Sequence, residues 1–174
     1  MNIPSREECL QLFEQYNVPT RVLEHCKQAN KVAVFLARKL KENGIDINVK
    51  VVDAASLLHD VGRTGERDTV FNPKHPGEGY RRLKNRYYEV AECVLTHGAE
   101  TDGTKLNWEQ KIAQYADKRA KENTTVTLEQ RFNDADGRYD ETFPKEWIQN
   151  IFKVEKQIFD IIGIEPDKLG EYLE

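Results

Sequence analysis

Four histidines, His25, His59, His75 and His97, and two aspartates, Asp60 and Asp117, are the residues whose types and order could do chemistry in this chain. Imidazole and carboxylate together are the ligand mix that suits Mn, Fe, Co or Zn. Mg prefers oxygen ligands, so four imidazoles argue against it. A bound divalent cation polarises a phosphoryl oxygen and makes water nucleophilic at neutral pH. The chemistry expected is therefore metal-dependent hydrolysis of a phosphate ester or anhydride, with the adjacent pair His59-Asp60 at its centre.

Such a set works only if helices gather it. From Thr20 to Lys41 the residues Val22, Cys26, Ala29, Ala33, Leu36 and Leu40 recur every three or four positions, with Thr20 as the N-cap and Gly44 as the stop. His25 shares the apolar face of this helix. A second helix is expected from about Asn48 through Leu58, ending at His59-Asp60 with Gly62 as breaker. Adjacent helical residues diverge by about 100°, so this pair converges on one site only where the helix is ending. Residues 62–74 read as a polar loop over the site. Helices follow at 77–84, 86–96 and Trp108–Lys121, then a connection to Thr127, a weak helix at 128–136 and a helix from Pro144 to Ile162. Asp117 lies among Ala113 and Ala120, and a buried carboxylate needs a partner that a cation would supply. No strand of useful length is expected. The fold class is an all-α single domain of six to eight helices spanning residues 1–174, with the motifs within about 20–125 and the C-terminal helices packed on them.

Taken singly, each candidate has an ordinary structural role. His25 could be a hydrogen-bonded core histidine, and Asp117 half of an ion pair with Lys118 or Arg119. His75 before Pro76-Gly77 suits a helix entry, and His97 before Gly98 a helix C-terminus. All of these roles must hold at once to displace the metal reading.

The 174 residues suffice for a core without disulfides. A net charge of −4 disfavours an extended nucleic-acid surface. Cys9, Cys26 and Cys93 form no CxxC pair and read as reduced thiols, which fits the cytoplasm. No basic leader and no apolar run near the roughly 18 residues of a membrane span is visible. Arg67, Lys74, Arg81, Arg82 and Lys84 could form a local anion-binding patch, or be merely solvated helix faces. Asp134, Asp136 and Gly137 are too short a match to a Ca loop.

The order His25, His59-Asp60, Asp117 resembles the HD superfamily of metal-dependent phosphohydrolases. LLHDVGR at 57–63 looks like that family's HDxGK-type segment, and YADKRA at 115–120 like its closing aspartate motif. HPGEGYRRL at 75–83 and His97 are similar to the two-metal subset, including the HD-GYP branch and dinucleoside tetraphosphate hydrolases. The resemblance implies that His25, His59, Asp60 and Asp117 hold one metal, and that Asp60 bridges to a second held by His75 and His97. A bridging water or hydroxide would be the nucleophile. Arg63, where many relatives have lysine, would bind a substrate phosphate, or else cap carbonyls at the helix end. The partner implied is a small phosphorylated substrate such as a nucleotide. The sequence departs from the HD-GYP branch at Thr104-Lys105-Leu106, and from the tetraphosphate hydrolases at Lys121-Glu122-Asn123. A non-catalytic regulatory module and a di-iron oxygenase of similar scaffold are the alternatives.

Overall fold

A computed structural model describes residues 2–63, 74–98, 101–132 and 143–173, and within them the chain is all-α apart from one tiny sheet. Helix α1 (Arg6–Gln15) is started by a reciprocal capping box between Ser5 and Glu8. Helix α2 (Thr20–Glu42) begins at Thr20 itself, so its cap lies one residue before the expected one. Pro19, whose φ of −59° already suits a helix, holds the cap position, and its carbonyl accepts from the Val22 and Leu23 amides. Helix α3 (Val49–Leu58) is capped by Asn48, whose side chain accepts from the Lys50 amide at 3.1 Å. It then unwinds through turns closed by Val61 N to Leu58 O and by Arg63 N to Asp60 O.

Helix α4 (His75–Leu83) starts at His75 rather than at 77, because Pro76 fits the first turn, where no amide donor is needed. Helix α5 (Tyr88–Thr96) and helix α6 (Trp108–Lys118) follow, the latter opened by a capping box between Asn107 and Gln110. A 3-10 turn, Gly103–Lys105, lies between them. Helix α6 stops at Lys118, short of the expected Lys121. Ala120–Lys121 instead pairs antiparallel with Thr124–Thr125 as a two-residue hairpin, with Glu122 turned into the left-handed region at φ 51°. Residues 128–132 are helical, and helix α7 (Lys145–Ile162) ends on Gly163 at φ 69°. A final 3-10 segment covers Pro166–Tyr172. Residues 64–73 of the loop expected at 62–74, with Arg67, and the positions Asp134, Asp136 and Gly137 lie outside the described residues.

Helix α2 is the axis of the packing, against α3 on one side and α6 on another, with α3 also touching α5 and α6. Its stripe from Val32 to Leu40 joins Ile112, Tyr115 and Ala116 of α6 and Ile151, Val154 and Ile158 of α7 in one buried cluster. A second cluster collects Cys9 and Phe13, Cys26, Leu57 and Leu58, and Val90 and Val94. Among the described residues no helix is long and apolar enough to cross a membrane.

Two polar devices fix the elements that carry the candidate site. Arg119, 1% exposed, follows α6 and is fully engaged. Its guanidinium donates to the carbonyls of Val126 and Pro166, to Glu155 of α7 at 3.0 Å and to the Tyr115 hydroxyl. The end of α6 is thereby tied to the hairpin, to α7 and to the C-terminal turn. The second device is a close backbone approach. A Cβ at Gly62 would lie 2.0 Å from the His75 carbonyl oxygen and 2.7 Å from the Gly79 nitrogen, so only glycine lets the turn after α3 seat against α4.

Gly62→Ala should therefore destabilise the protein by at least about 3 kcal/mol in chemical denaturation, since neither backbone can yield cheaply. Gly77→Ala, where an added Cβ meets nothing within 4 Å, should be neutral or slightly stabilising in the same measurement.

Candidate metal centre

The six side chains singled out in the sequence come together, each supplied near a helix end or from α2. His25 projects from the second turn of α2. His59 and Asp60 sit where α3 unwinds, His75 opens α4, His97 closes α5, and Asp117 lies in the last turn of α6. The imidazole rings form a chain of neighbours, with centroids 5.2 Å apart for His25 and His59, 5.1 Å for His59 and His97, and 4.9 Å for His75 and His97. His59, Asp60, His97 and Asp117 are all buried.

Two of the rings are aimed by the same local device. At the end of its helix each can reach the carbonyl three residues back: His59 Nδ1 donates to Ser56 O at 2.8 Å, and His97 Nδ1 to Val94 O at 2.6 Å. A carbonyl only accepts, so the proton stands on Nδ1 and Nε2 is turned into the cluster, as in histidines that bind metals.

The carboxylates divide the cluster in two. Asp117 Oδ1 lies 3.0 Å from His25 Nε2 and 3.6 Å from His59 Nε2. Asp60 Oδ2 is 3.7 Å from the same His59 nitrogen, whereas its Oδ1 is 3.0 Å from His75 Nε2 and 3.6 Å from His97 Nε2. His75 and His97 approach each other at 2.8 Å between their Nε2 atoms. Two sets of donors, His25, His59 and Asp117, and Asp60, His75 and His97, each fall within 4.8 Å of one another.

Whether these atoms suit a metal is tested by those left without partners. His59 Nε2 and Asp60 Oδ1 are buried and make no hydrogen bond. The separations of 3.6 and 3.7 Å from His59 Nε2 to the two carboxylates exceed a hydrogen bond, and the nitrogen and oxygens face one another as ligands do around a shared cation. His75 Nε2 lies near Asp60 Oδ1 without acceptable hydrogen-bond geometry. Two buried polar atoms left without hydrogen bonds in one cluster are costly unless something else satisfies them.

Three of the groups are held in the protonation state a ligand needs, and His59 is not. Burial by itself raises a carboxylate, but His59, His75, His97 and Arg63 hold Asp60 well below the usual range. Asp117 is likewise held well down, against burial, by Lys118, His25 and His59. Burial pushes His97 down to about 4, with the neighbouring His75 and His59 adding to it, so its imidazole is neutral, as a ligand must be. Burial opposes charge on His59, yet Cys26, Asp60 and Asp117 raise it well above an ordinary histidine, so a metal binding there would displace a proton.

Arg63 lies at the edge of the cluster, its Nε 2.8 Å from Asp60 Oδ2 and its Nη2 3.5 Å from His75 Nε2. Of the basic patch suggested by the sequence, Arg82 is turned away, donating to Val61 O and Glu78 and lying over the Tyr16 ring. Arg81 pairs with Glu78, and Lys84 lies over Tyr80.

Three supporting residues escaped the sequence reading. The buried Cys26 thiol lies in a group with His59 and Asp60. Its place one residue after His25 gave no sign of this, since neighbours on a helix usually face apart. Ser56 supplies the carbonyl that holds His59, and its hydroxyl accepts from Asn30, linking α2 to α3. Gln114, buried three residues before Asp117, donates to the carbonyls of Thr96, Gly98 and Thr101 and so holds both sides of the turn after His97. Its i to i+3 relation to Asp117 was the available signal, because it places both side chains on one face of α6.

The HD-domain family model matches residues 22–122, more than half of the chain, and the chain belongs to that family, in keeping with the HD superfamily of metal-dependent phosphohydrolases. Among curated proteins, a tRNA (cytidine(56)-2'-O)-methyltransferase of Thermoplasma volcanium is 39% identical over 62 residues, which cover 36% of this chain and 17% of that enzyme. The chain thus spans about a sixth of that relative's length. No solved structure matches significantly.

Because His97 binds its proton at about 4 when folded and near 6.5 when unfolded, its contribution to stability is present above 6.5 and lost as pH falls toward 4. Thermal melts of metal-stripped protein should show stability declining across that window, and His97→Gln should flatten the decline.

Proposed function

We propose that this chain is a two-metal phosphohydrolase cleaving a nucleotide or another small phosphate ester or anhydride. The observation that carries the reading is the division of Asp60, with Oδ2 toward His59 and Oδ1 toward His75 and His97. In this reading His25, His59, Asp60 and Asp117 would hold one divalent cation, and Asp60, His75 and His97 would hold the second. Four imidazoles favour Fe, Mn, Co or Zn over Mg. Such metals, when bound, would supply Lewis-acid polarisation of a phosphoryl group and a more acidic water.

The chain's own groups do the rest. The carbonyls of Ser56 and Val94 fix the rings of His59 and His97, so the ligands are oriented before substrate arrives. Arg63 is the substrate-binding group: its guanidinium turns from Asp60 to take a phosphoryl oxygen, which its fork geometry suits. The buried walls exclude bulk water and strengthen these contacts. The three free, buried cysteines support a reducing, cytoplasmic setting. Methyl transfer is not part of the proposal, since the likeness to the methyltransferase covers 17% of that enzyme.

The test is turnover by protein reconstituted with Mn, Co, Fe or Zn against p-nitrophenyl phosphate, bis-p-nitrophenyl phosphate and nucleoside mono-, di- and tetraphosphates. Metal-dependent phosphate release is expected, reduced at least about 100-fold in His59→Ala and in Asp60→Asn. Arg63→Ala should raise KM more than it lowers kcat. Stoichiometric metal with no release from any substrate would sink the proposal in favour of a regulatory module, and oxygen consumption by the iron form in favour of an oxygenase.

A further inference from the structure

Lys118 is a buried lysine, and its side chain is only 8% exposed. Among the described residues its hydrogen bond goes to Asp117 Oδ2 at 2.6 Å. The remaining surroundings of its ammonium include the faces of Trp147 at 5.3 Å and Phe143 at 5.6 Å, two rings stacked 5.0 Å apart. Aromatic faces attract a cation and offer it nothing to move toward. The Trp147 indole is itself anchored on Thr101 O at 3.2 Å. The ammonium is therefore built into place rather than solvated.

Asp60 is treated in the same way. Each carboxylate turns one oxygen to two histidines, Asp117 Oδ1 to His25 and His59, and Asp60 Oδ1 to His75 and His97. Each gives its other oxygen to a cationic side chain, Lys118 or Arg63. Arg63 is positioned to leave for substrate, but Lys118, boxed by rings, is not.

We propose that Lys118 is a resident counter-cation of the centre: it neutralises Asp117 when no metal is bound, and it weakens metal binding at the His25, His59 and Asp117 end by repulsion. The inference rests on the metal reading above. Two opposed consequences follow from one charge. Without metal, removing the ammonium leaves a buried carboxylate uncompensated. With metal, removing it would abolish the repulsion between this ammonium and a divalent ion held by the same carboxylate, in a poorly screened interior. Removing a cofactor-binding helper would weaken the metal; removing a counter-cation strengthens it. Lys118 is thus a positioning residue for Asp117 whose effect on affinity has the opposite sign to that of an ordinary ligand support.

The test compares wild type, Lys118→Met and Lys118→Arg by titrating full-length protein with Mn or Co against a competing chelator, and by thermal melts with and without metal. Lys118→Met should bind the tighter-held metal at least about tenfold more strongly than wild type. It should melt lower without metal and recover most of that loss when metal is added, and metal-dependent folding of this variant counts the same way. Lys118→Arg, which keeps the charge, should match wild type within about threefold. Weaker or unchanged affinity in Lys118→Met, or failure to fold even with metal, overturns the proposal. If no variant, wild type included, binds metal, the metal reading itself fails, and the two failures are distinct.

Discussion

Asp60 and Asp117 are carboxylates buried among helices, and burying a charge is strongly unfavourable unless partners surround it. Both are kept ionised by the groups gathered on them, which for Asp60 are three histidines and Arg63 and for Asp117 are two histidines and Lys118. Every element that contributes to the centre does so within reach of one of these two residues. Helix α2 supplies His25 in mid-face, and the others supply their residues at or near their ends, where side chains can leave the regular helical directions and carbonyls are free to accept. The packing of α2 against α3 and α6 is what brings the two carboxylates within reach of the shared His59 nitrogen.

That arrangement tolerates little backbone displacement. Gly62 permits the contact between the turn after α3 and the start of α4, and so sets Asp60 against His75. Gln114 holds the turn following His97 from the same face of α6 that carries Asp117. Arg119 locks the end of α6 to α7 and to the hairpin. The site is thus supported from the backbone outward, as a centre with preset ligand directions must be.

Much of this was legible in the residues, for reasons that can be named. The apolar periods of α2 and α6 place His25 and Asp117 on buried helix faces, and the end of the α3 pattern places His59-Asp60 where that helix unwinds. Helix α4 starts two residues before the expected 77, because a proline in the first turn is favourable. The stop of α6 at Lys118 was invisible, since Ala120–Lys121 carries no strand pattern and its pairing with Thr124–Thr125 depends on a left-handed Glu122. Helix α1 went unread, although Ser5 and Glu8 form a recognisable capping box. The role of Lys118 could not be read at all, because a charged residue beside an aspartate looks the same in sequence whether it is solvated or enclosed by Trp147 and Phe143.

Membership of the HD-domain family and the convergence of imidazole and carboxylate point to a metal centre, and in the proposed reading a bridging Asp60 would make it binuclear. Electron paramagnetic resonance of protein loaded with two equivalents of Mn tests that role most directly. The account predicts an exchange-coupled pair in wild type that is replaced by isolated-ion signals in Asp60→Asn. Isolated-ion signals in the fully loaded wild type, with no coupled species at any loading, would contradict it.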